Sequence, residues 1–208
     1  MNGRVKLTSE SVAQVWYNDG VEGVLSFMSI SLAPDPLDGL QGSIRAFYDF
    51  WQSLPKTEHL PCLADLLDRM PPDLAPHMVI ADVLGPTATK IRYFGTRLAE
   101  IAAFDPTGRA VGDIYAPDLR DSMHLLVWMA TRRPAGYLLR RKIVGRGDFV
   151  NVHSSLGLPI EVPTSGVRAV VNLSHPGGPV NATTDDRALL VQEMKLERWV
   201  DIGAGVPG

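Results

Sequence analysis

The chain has 208 residues, 45% of them hydrophobic and 21% charged, which suits one globular domain with extensions. A formal net charge of -3 and a pI near 5.9 argue against nucleic acid as a partner. The only cysteine is Cys62, so no intramolecular disulfide can form, and no stretch approaches the ~20 apolar residues of a membrane span. We therefore expect a cytoplasmic protein without a signal peptide.

The first part of the chain, residues 1–42, is predicted to be an N-terminal extension. Its apolar run at 24–32 favours packing on the main domain or on a second subunit, which makes it a candidate dimerisation segment. A helix is predicted from residue 43, because apolar residues recur at three- and four-residue steps as far as Trp51. A second, short helix is predicted over 64–70, before Pro71.

The next residues predict a core of strands and helices over 43–176. Two strands close enough for a hairpin are followed by a short helix, the longest helix and three more strands. Hairpin-linked strands at both ends of the order, with helices between them, indicate an antiparallel sheet and an α+β fold. A C-terminal extension is expected over 177–208. The predicted elements are strands at 77–85 and 90–94, helices at 96–103 and 117–133, and strands at 136–144, 148–162 and 167–174.

Several sequence segments in this region resemble a family of short bacterial stand-alone PAS-domain proteins. They are FYDFWQSL (47–54), LPCLADL (60–66), PPDLAPHMVIADVL (71–84), IRYFGTRLAEI (91–101) and DPTGR (105–109). The resemblance implies a PAS-like five-stranded antiparallel sheet with helices over one face. It also implies a cavity, between the sheet and these helices, in which PAS domains hold ligands.

The pair Gly95-Thr96 marks the point where the second strand gives way to a helix. On the PAS-like interpretation, Gly95 lets the chain leave the sheet without a Cβ clash, and the helix then covers the cavity. The pair could equally be a turn and a helix cap. Arg97, on the first turn, could bind a carboxylate or phosphate, or lie on the surface. The candidate ligand-binding residues are Phe94, Arg97, Ile101, Phe104, Tyr115, His124 and Trp128.

Basic residues gather near the predicted hairpin that follows the long helix. We interpret them as a solvated face rather than a binding patch, since surface charge is common. Gly145 to Asp148 would form the turn of this hairpin. The basic residues are Arg132, Arg133, Arg140, Arg141, Lys142 and Arg146.

Metal and cofactor chemistry has one candidate, His124. The five histidines lack zinc-ligand spacing, so no metal site is predicted. The PAS resemblance implies that a histidine on the long helix can ligate haem, and one imidazole in an apolar pocket would suffice. The alternative is a structural or surface histidine. The cofactor stays open at this point.

The sequence therefore predicts a sensory or interaction module that binds a small molecule, a partner protein or both. Homodimerisation is expected through residues 1–50 and the apolar C-terminal segment. No catalytic motif is present. A small hydrolase or isomerase remains an alternative, with His124, His153 or Asp82 as its acid or base, and so does a ligand-free adaptor. Two converging ionisable groups would favour the enzyme, and an apolar pocket with one arginine would favour the sensor.

Overall fold

A computed structural model describes residues 42–144, 150–176 and 190–207. These residues form four α-helices and eight strands. The helices are α1 (Gly42–Ser53), α2 (Leu63–Asp68), α3 (Thr96–Ala102) and α4 (Arg120–Arg132). The strands are β1 (Lys56–Thr57), β2 (Leu60–Pro61), β3 (Met78–Gly85), β4 (Ala88–Phe94), β5 (Ala135–Val144), β6 (Val150–Val162), β7 (Val167–Pro176) and β8 (Leu190–Asp201).

The main sheet has six strands in the order β4-β3-β7-β6-β5-β8, and every neighbouring pair is antiparallel. The hairpin β3–β4 therefore joins the hairpin-linked strands β5, β6 and β7 through the pairing of β3 with β7. Strand β8 pairs with β5 and extends the sheet by one strand. The predicted α+β class with an antiparallel sheet is confirmed. The expected count of five strands is not, because residues 190–201 supply a sixth.

One face of the sheet is covered by α1 and α2. The helix α1 forms because apolar residues recur on one side of it, and Ile44, Phe47 and Trp51 are all buried there. Alternate residues of the central strands meet them, since successive side chains of a strand point to opposite faces. This first core also contains Met78, Ile80, Leu138, Leu156, Leu158, Ile160, Ala169, Val171 and Leu173.

The opposite face of the sheet is covered by α3, α4 and the segment that joins them. Helix α4 buries Met123, Leu126 and Ala130 against it. A second, separate core forms there, with Tyr137 and Trp199 at a ring-centroid distance of 6.3 Å. The expectation of helices over one face is therefore wrong in one respect: helices lie on both faces, because α1 and α2 cover the face that α3 and α4 leave free.

The apolar residues of α1 and β8 had suggested a dimer interface. In the structure they are used inside the chain: Phe47 and Trp51 pack under the first face, while Leu196 and Trp199 pack under the second. They give no separate reason for an interface. Residues 1–41 and the turn expected at 145–148 lie outside the described residues. Among the described helices, none is long and apolar enough to cross a membrane.

The strand-to-helix junction at Gly95 has a clear steric cause. A Cβ on this residue would overlap the backbone carbonyl of Pro76, so no larger residue fits without movement. The Gly95 amide also donates to the carbonyl of Met78 at 2.8 Å, which fixes the exit from β4. The predicted need for glycine here is confirmed, and the crowding comes from the segment that precedes β3.

Candidate ligand-binding cavity

A cavity of about 60 Å³ lies between α3 and the second face of the sheet. Each of the six strands contributes at least one residue to its wall, and the sheet supplies all of its polar residues. Nine of the twelve lining residues are apolar. The lining is Val79, Phe94, Leu98, Ile101, Ala102, Phe104, Ile114, Arg141, Ile143, His153, Ser174 and Val191.

Arg141 of β5 is the charged residue of this wall, and its side chain is only 7% exposed. Its Nη1 donates to the hydroxyl of Tyr115 at 3.1 Å, and its Nη2 donates to Ser174 Oγ at 2.6 Å. A longer contact of 3.4 Å joins Nη2 to Asn172 Oδ1. All of these partners are neutral oxygens, and Nε has no partner among the described residues. A buried guanidinium thus lacks a counter-charge from the described part of the chain.

His153 of β6 lies directly across from Arg141 in the strand pairing. Burial, together with the positive charges of Arg141 and His175, lowers the pKa of His153 from 6.5 to about 4, so the ring is neutral at pH 7. Its Nε2 is buried and has no partner within the described residues. Two residues further along the same strand, Ser155 Oγ is also buried and has no hydrogen-bond partner within the described residues. The sheet therefore carries a cluster of buried polar groups with spare hydrogen-bonding capacity.

Helix α3 closes the other side of the cavity. It starts at the crowded Gly95 junction, which directs Leu98, Ile101 and Ala102 towards the sheet. The helix ends at Ala103, whose φ of 56° is in the left-handed region, and the chain then returns Phe104 to the cavity wall. The apolar side of the cavity is thus built by one short helix and the residues that follow it.

Three of the predicted ligand-binding residues, Phe94, Ile101 and Phe104, do line this cavity. Arg97 does not: its Nη1 donates to Glu100 on the exposed side of α3 at 2.8 Å. Trp128 is half-buried beneath the guanidinium of Arg132, at 5.4 Å from the ring centroid, and is not part of the wall. The prediction placed an arginine at the cavity, and the structure supplies one from a strand instead of from the helix.

Neither Tyr115 nor His124 belongs to the cavity wall. Tyr115 is buried and reaches the site through its hydroxyl, which accepts from Arg141. His124 is buried in α4, where Nδ1 lies 2.9 Å from Thr89 Oγ1 and Nε2 packs against the backbone of Gly112. Burial lowers the pKa of His124.

These contacts of His124 do not suit a haem ligand. Nδ1 is engaged with Thr89, and Nε2 lies so close to Gly112 that a Cβ on that residue would be only 2.7 Å away. Iron ligation needs a free ring nitrogen with the macrocycle in front of it. His124 is a structural residue in this arrangement. The described residues also contain no cluster of three or more histidine, cysteine or acidic side chains that could hold a metal ion.

The residues suggested as acid or base of an enzyme are not brought together. Asp82 forms two hydrogen bonds of 2.9 Å with Arg92. His124 bonds to Thr89, and only His153 lies in the cavity wall. Within the described residues, none of the three hydrogen-bonds to another. The ionisable residues of the cavity wall are Arg141 and His153, and the low pKa of His153, about 4, makes it a weak base.

Arg141, His153 and Ser174 were not among the predicted ligand-binding residues. The alternation of residues along β5 could have indicated that Arg141 is buried. Arg141 lies on the same face as Tyr137 and Leu139, whereas Arg140 lies on the opposite face and is exposed. Treating the basic residues as one solvated group hid this alternation. The interpretation is therefore wrong for Arg141.

Two comparisons with known proteins found no match for the chain. No family model matches the sequence, and no curated protein matches it. The cavity and its buried arginine are therefore the features that bear on function.

Proposed function

We propose that the chain is a stand-alone PAS-like sensory module of bacterial signalling, located in the cytoplasm, that binds a small molecule in the cavity. The order of its core elements supports this: a strand hairpin, helices, then three hairpin-linked strands is also the order of a PAS fold. In PAS domains the ligand lies between the sheet and the helices, as this cavity does. Ligand binding would change the conformation of the module, and a partner protein and a second copy of the chain would respond to that change.

The observation that carries the proposal is the composition of the cavity wall. Ligand sites combine a mostly apolar lining with a few polar groups that fix orientation. Here nine apolar residues surround Arg141, His153 and Ser174. A cavity that served packing alone would not need a buried charge, because burying an unpaired ion is unfavourable.

The test is whether the purified full-length chain carries or takes up a small molecule at this place. We would record its absorption spectrum, identify what denaturation releases by mass spectrometry, and screen small metabolites by thermal shift. Ala102→Leu places a larger side chain in the cavity wall. Ala99→Leu makes the same change on α3 at a position outside the wall, and serves as its control.

We expect one compound to be released from, or to stabilise, the unchanged chain and the Ala99→Leu variant. The Ala102→Leu variant should lose it, because the added methyl groups occupy the cavity. Failure of every compound to bind, or equal binding to both variants, would show that this cavity is not a ligand site.

A further inference from the structure

Arg141 is unusual because its charge is buried and no described residue compensates it. Arginine is almost never fully buried unless it is paired, and its guanidinium stays charged at all ordinary pH values. The partners of Arg141 are the neutral oxygens of Tyr115, Ser174 and Asn172. They use Nη1 and Nη2 and leave Nε without a partner among the described residues. The wall of the cavity therefore includes a positively charged residue.

The groups around this guanidinium are also suited to an anion. Ser174 and His153 line the cavity beside it, and none of the described residues of the wall carries a carboxylate. Arg141, His153 and Ser174 come from the three adjacent strands β5, β6 and β7, so they form one compact polar end. An anion bound here would supply the counter-charge that the described residues do not give Arg141.

The rest of the wall restricts what the anion can be. Leu98, Ile101 and Phe104 lie across from the sheet and present only apolar surface. A volume of about 60 Å³ is well below the ~150 Å³ of an apolar cavity that accepts benzene. The side of a fully polar anion that points away from Arg141 would lie against these apolar side chains. A small carboxylate, with its hydrocarbon end towards α3, suits both the polar and the apolar residues of the wall.

We propose that this cavity binds a short-chain organic carboxylate, with the carboxylate on Arg141 and Ser174 and the hydrocarbon end against α3. The assignment rests on the proposed function, since it takes the cavity to be a ligand site. It specifies the chemical class: a small monoanion with an apolar tail, and not a neutral metabolite or an inorganic anion.

Calorimetric titration of the 208-residue chain tests the assignment with five probes. Acetate, propionate and butyrate vary the tail, and propionamide has the shape of propionate without its charge. Inorganic phosphate tests a polar anion. We expect propionate or butyrate to bind at least tenfold more tightly than propionamide, and phosphate not to compete with it. This comparison needs no variant, so it stands even where a substitution prevents folding.

Variants then locate the binding. Arg141→Gln should weaken carboxylate binding at least tenfold, whereas Arg140→Gln, an exposed position on the opposite face of β5, should leave it unchanged. Equal affinity for propionate and propionamide, equal effects of the two variants, or tight binding of phosphate alone would each overturn the carboxylate assignment.

The same titrations separate this inference from the proposed function. If propionamide binds as tightly as propionate and Ala102→Leu abolishes both, the cavity is a ligand site and only the carboxylate class is wrong. If neither these probes nor the metabolite screen shows binding that depends on Ala102, the proposed function itself fails.

Discussion

Against α1 and α2 the sheet presents buried leucine, isoleucine and valine, whereas against α3 and α4 it also presents buried arginine, histidine, serine and asparagine. Residues of strand β6 alternate strictly between the two faces. Leu156 and Leu158 lie on the face that α1 and α2 cover, and His153 and Ser155 lie on the face that α3 and α4 cover. The cavity lies on the second face of the sheet, the one that α3 and α4 cover. The first face thus buries mostly apolar side chains, whereas the second face also buries polar groups, three of which line the cavity.

The comparison predicts that equal truncations on the two faces have unequal effects. Phe47→Ala removes a fully buried ring from the first core, and we expect it to lower the free energy of unfolding by about 3–5 kcal/mol. Phe104→Ala removes a half-buried ring beside an existing cavity, so a loss of about 1–2 kcal/mol is expected. Urea denaturation of both variants measures the difference. Similar losses would show that the faces do not differ in this way.

The second face should also make stability depend on pH. The folded pKa of His153 is about 4, against an ordinary value of 6.5, so the unfolded chain binds more protons between these values. Stability should therefore be complete above pH 6.5 and fall as the pH is lowered, by about 2 kcal/mol at pH 5.

Denaturation curves at pH 7 and pH 5 would measure this dependence. His153→Gln should reduce the change between the two pH values, whereas His59→Gln, at an exposed position, should leave it as it is. An unchanged pH dependence in His153→Gln would assign the effect to other groups.

A third prediction concerns Gly157, which leaves space for the Tyr137 ring on the second face of the sheet. Gly157 of β6 pairs with Tyr137 of β5, and a Cβ on this glycine would overlap the Tyr137 ring. We expect Gly157→Ala to destabilise the fold by about 1–3 kcal/mol, because the ring has to move in a packed core. Gly85→Ala, where the nearest atom is the Ala88 Cβ at 4.0 Å, is the control. Thermal denaturation should separate them, and equal shifts would contradict this packing role of Gly157.

The smallest expected effect tests whether the first face depends on burial more than on its helix caps. Cys62 caps α2 by accepting from the Asp65 amide at 3.4 Å. Cys62→Ser provides a better acceptor and should change stability by no more than about 0.5 kcal/mol, while Cys62→Ala should lower it by about 0.5–1 kcal/mol. A loss in Cys62→Ala as large as that in Phe47→Ala, measured by urea denaturation, would mean that the cap matters as much to this face as burial does.

Much of the local structure follows from residue patterns alone. The face of α1 is set by the spacing of Ile44, Phe47 and Trp51, and burial of the three confirms it. The hairpin of β3 and β4 and the start of α3 after Gly95 are also predicted, because strand alternation and steric crowding act over a few residues. The candidate site is predicted only in part: Phe94, Ile101 and Phe104 are found in its wall, and Arg141 is not among the predicted residues.

The sequence by itself determined the α+β class, the order of the core elements and the aromatic and aliphatic lining near α3, since these depend on local periodicity. The tertiary structure decided that β8 joins the sheet beside β5, that helices cover both faces, and that Arg141 is buried rather than solvated. A residue's burial depends on what packs over it, and Tyr115, Ser174 and α3 come from distant parts of the chain. That long-range packing turned one arginine of a basic stretch into the polar centre of a cavity.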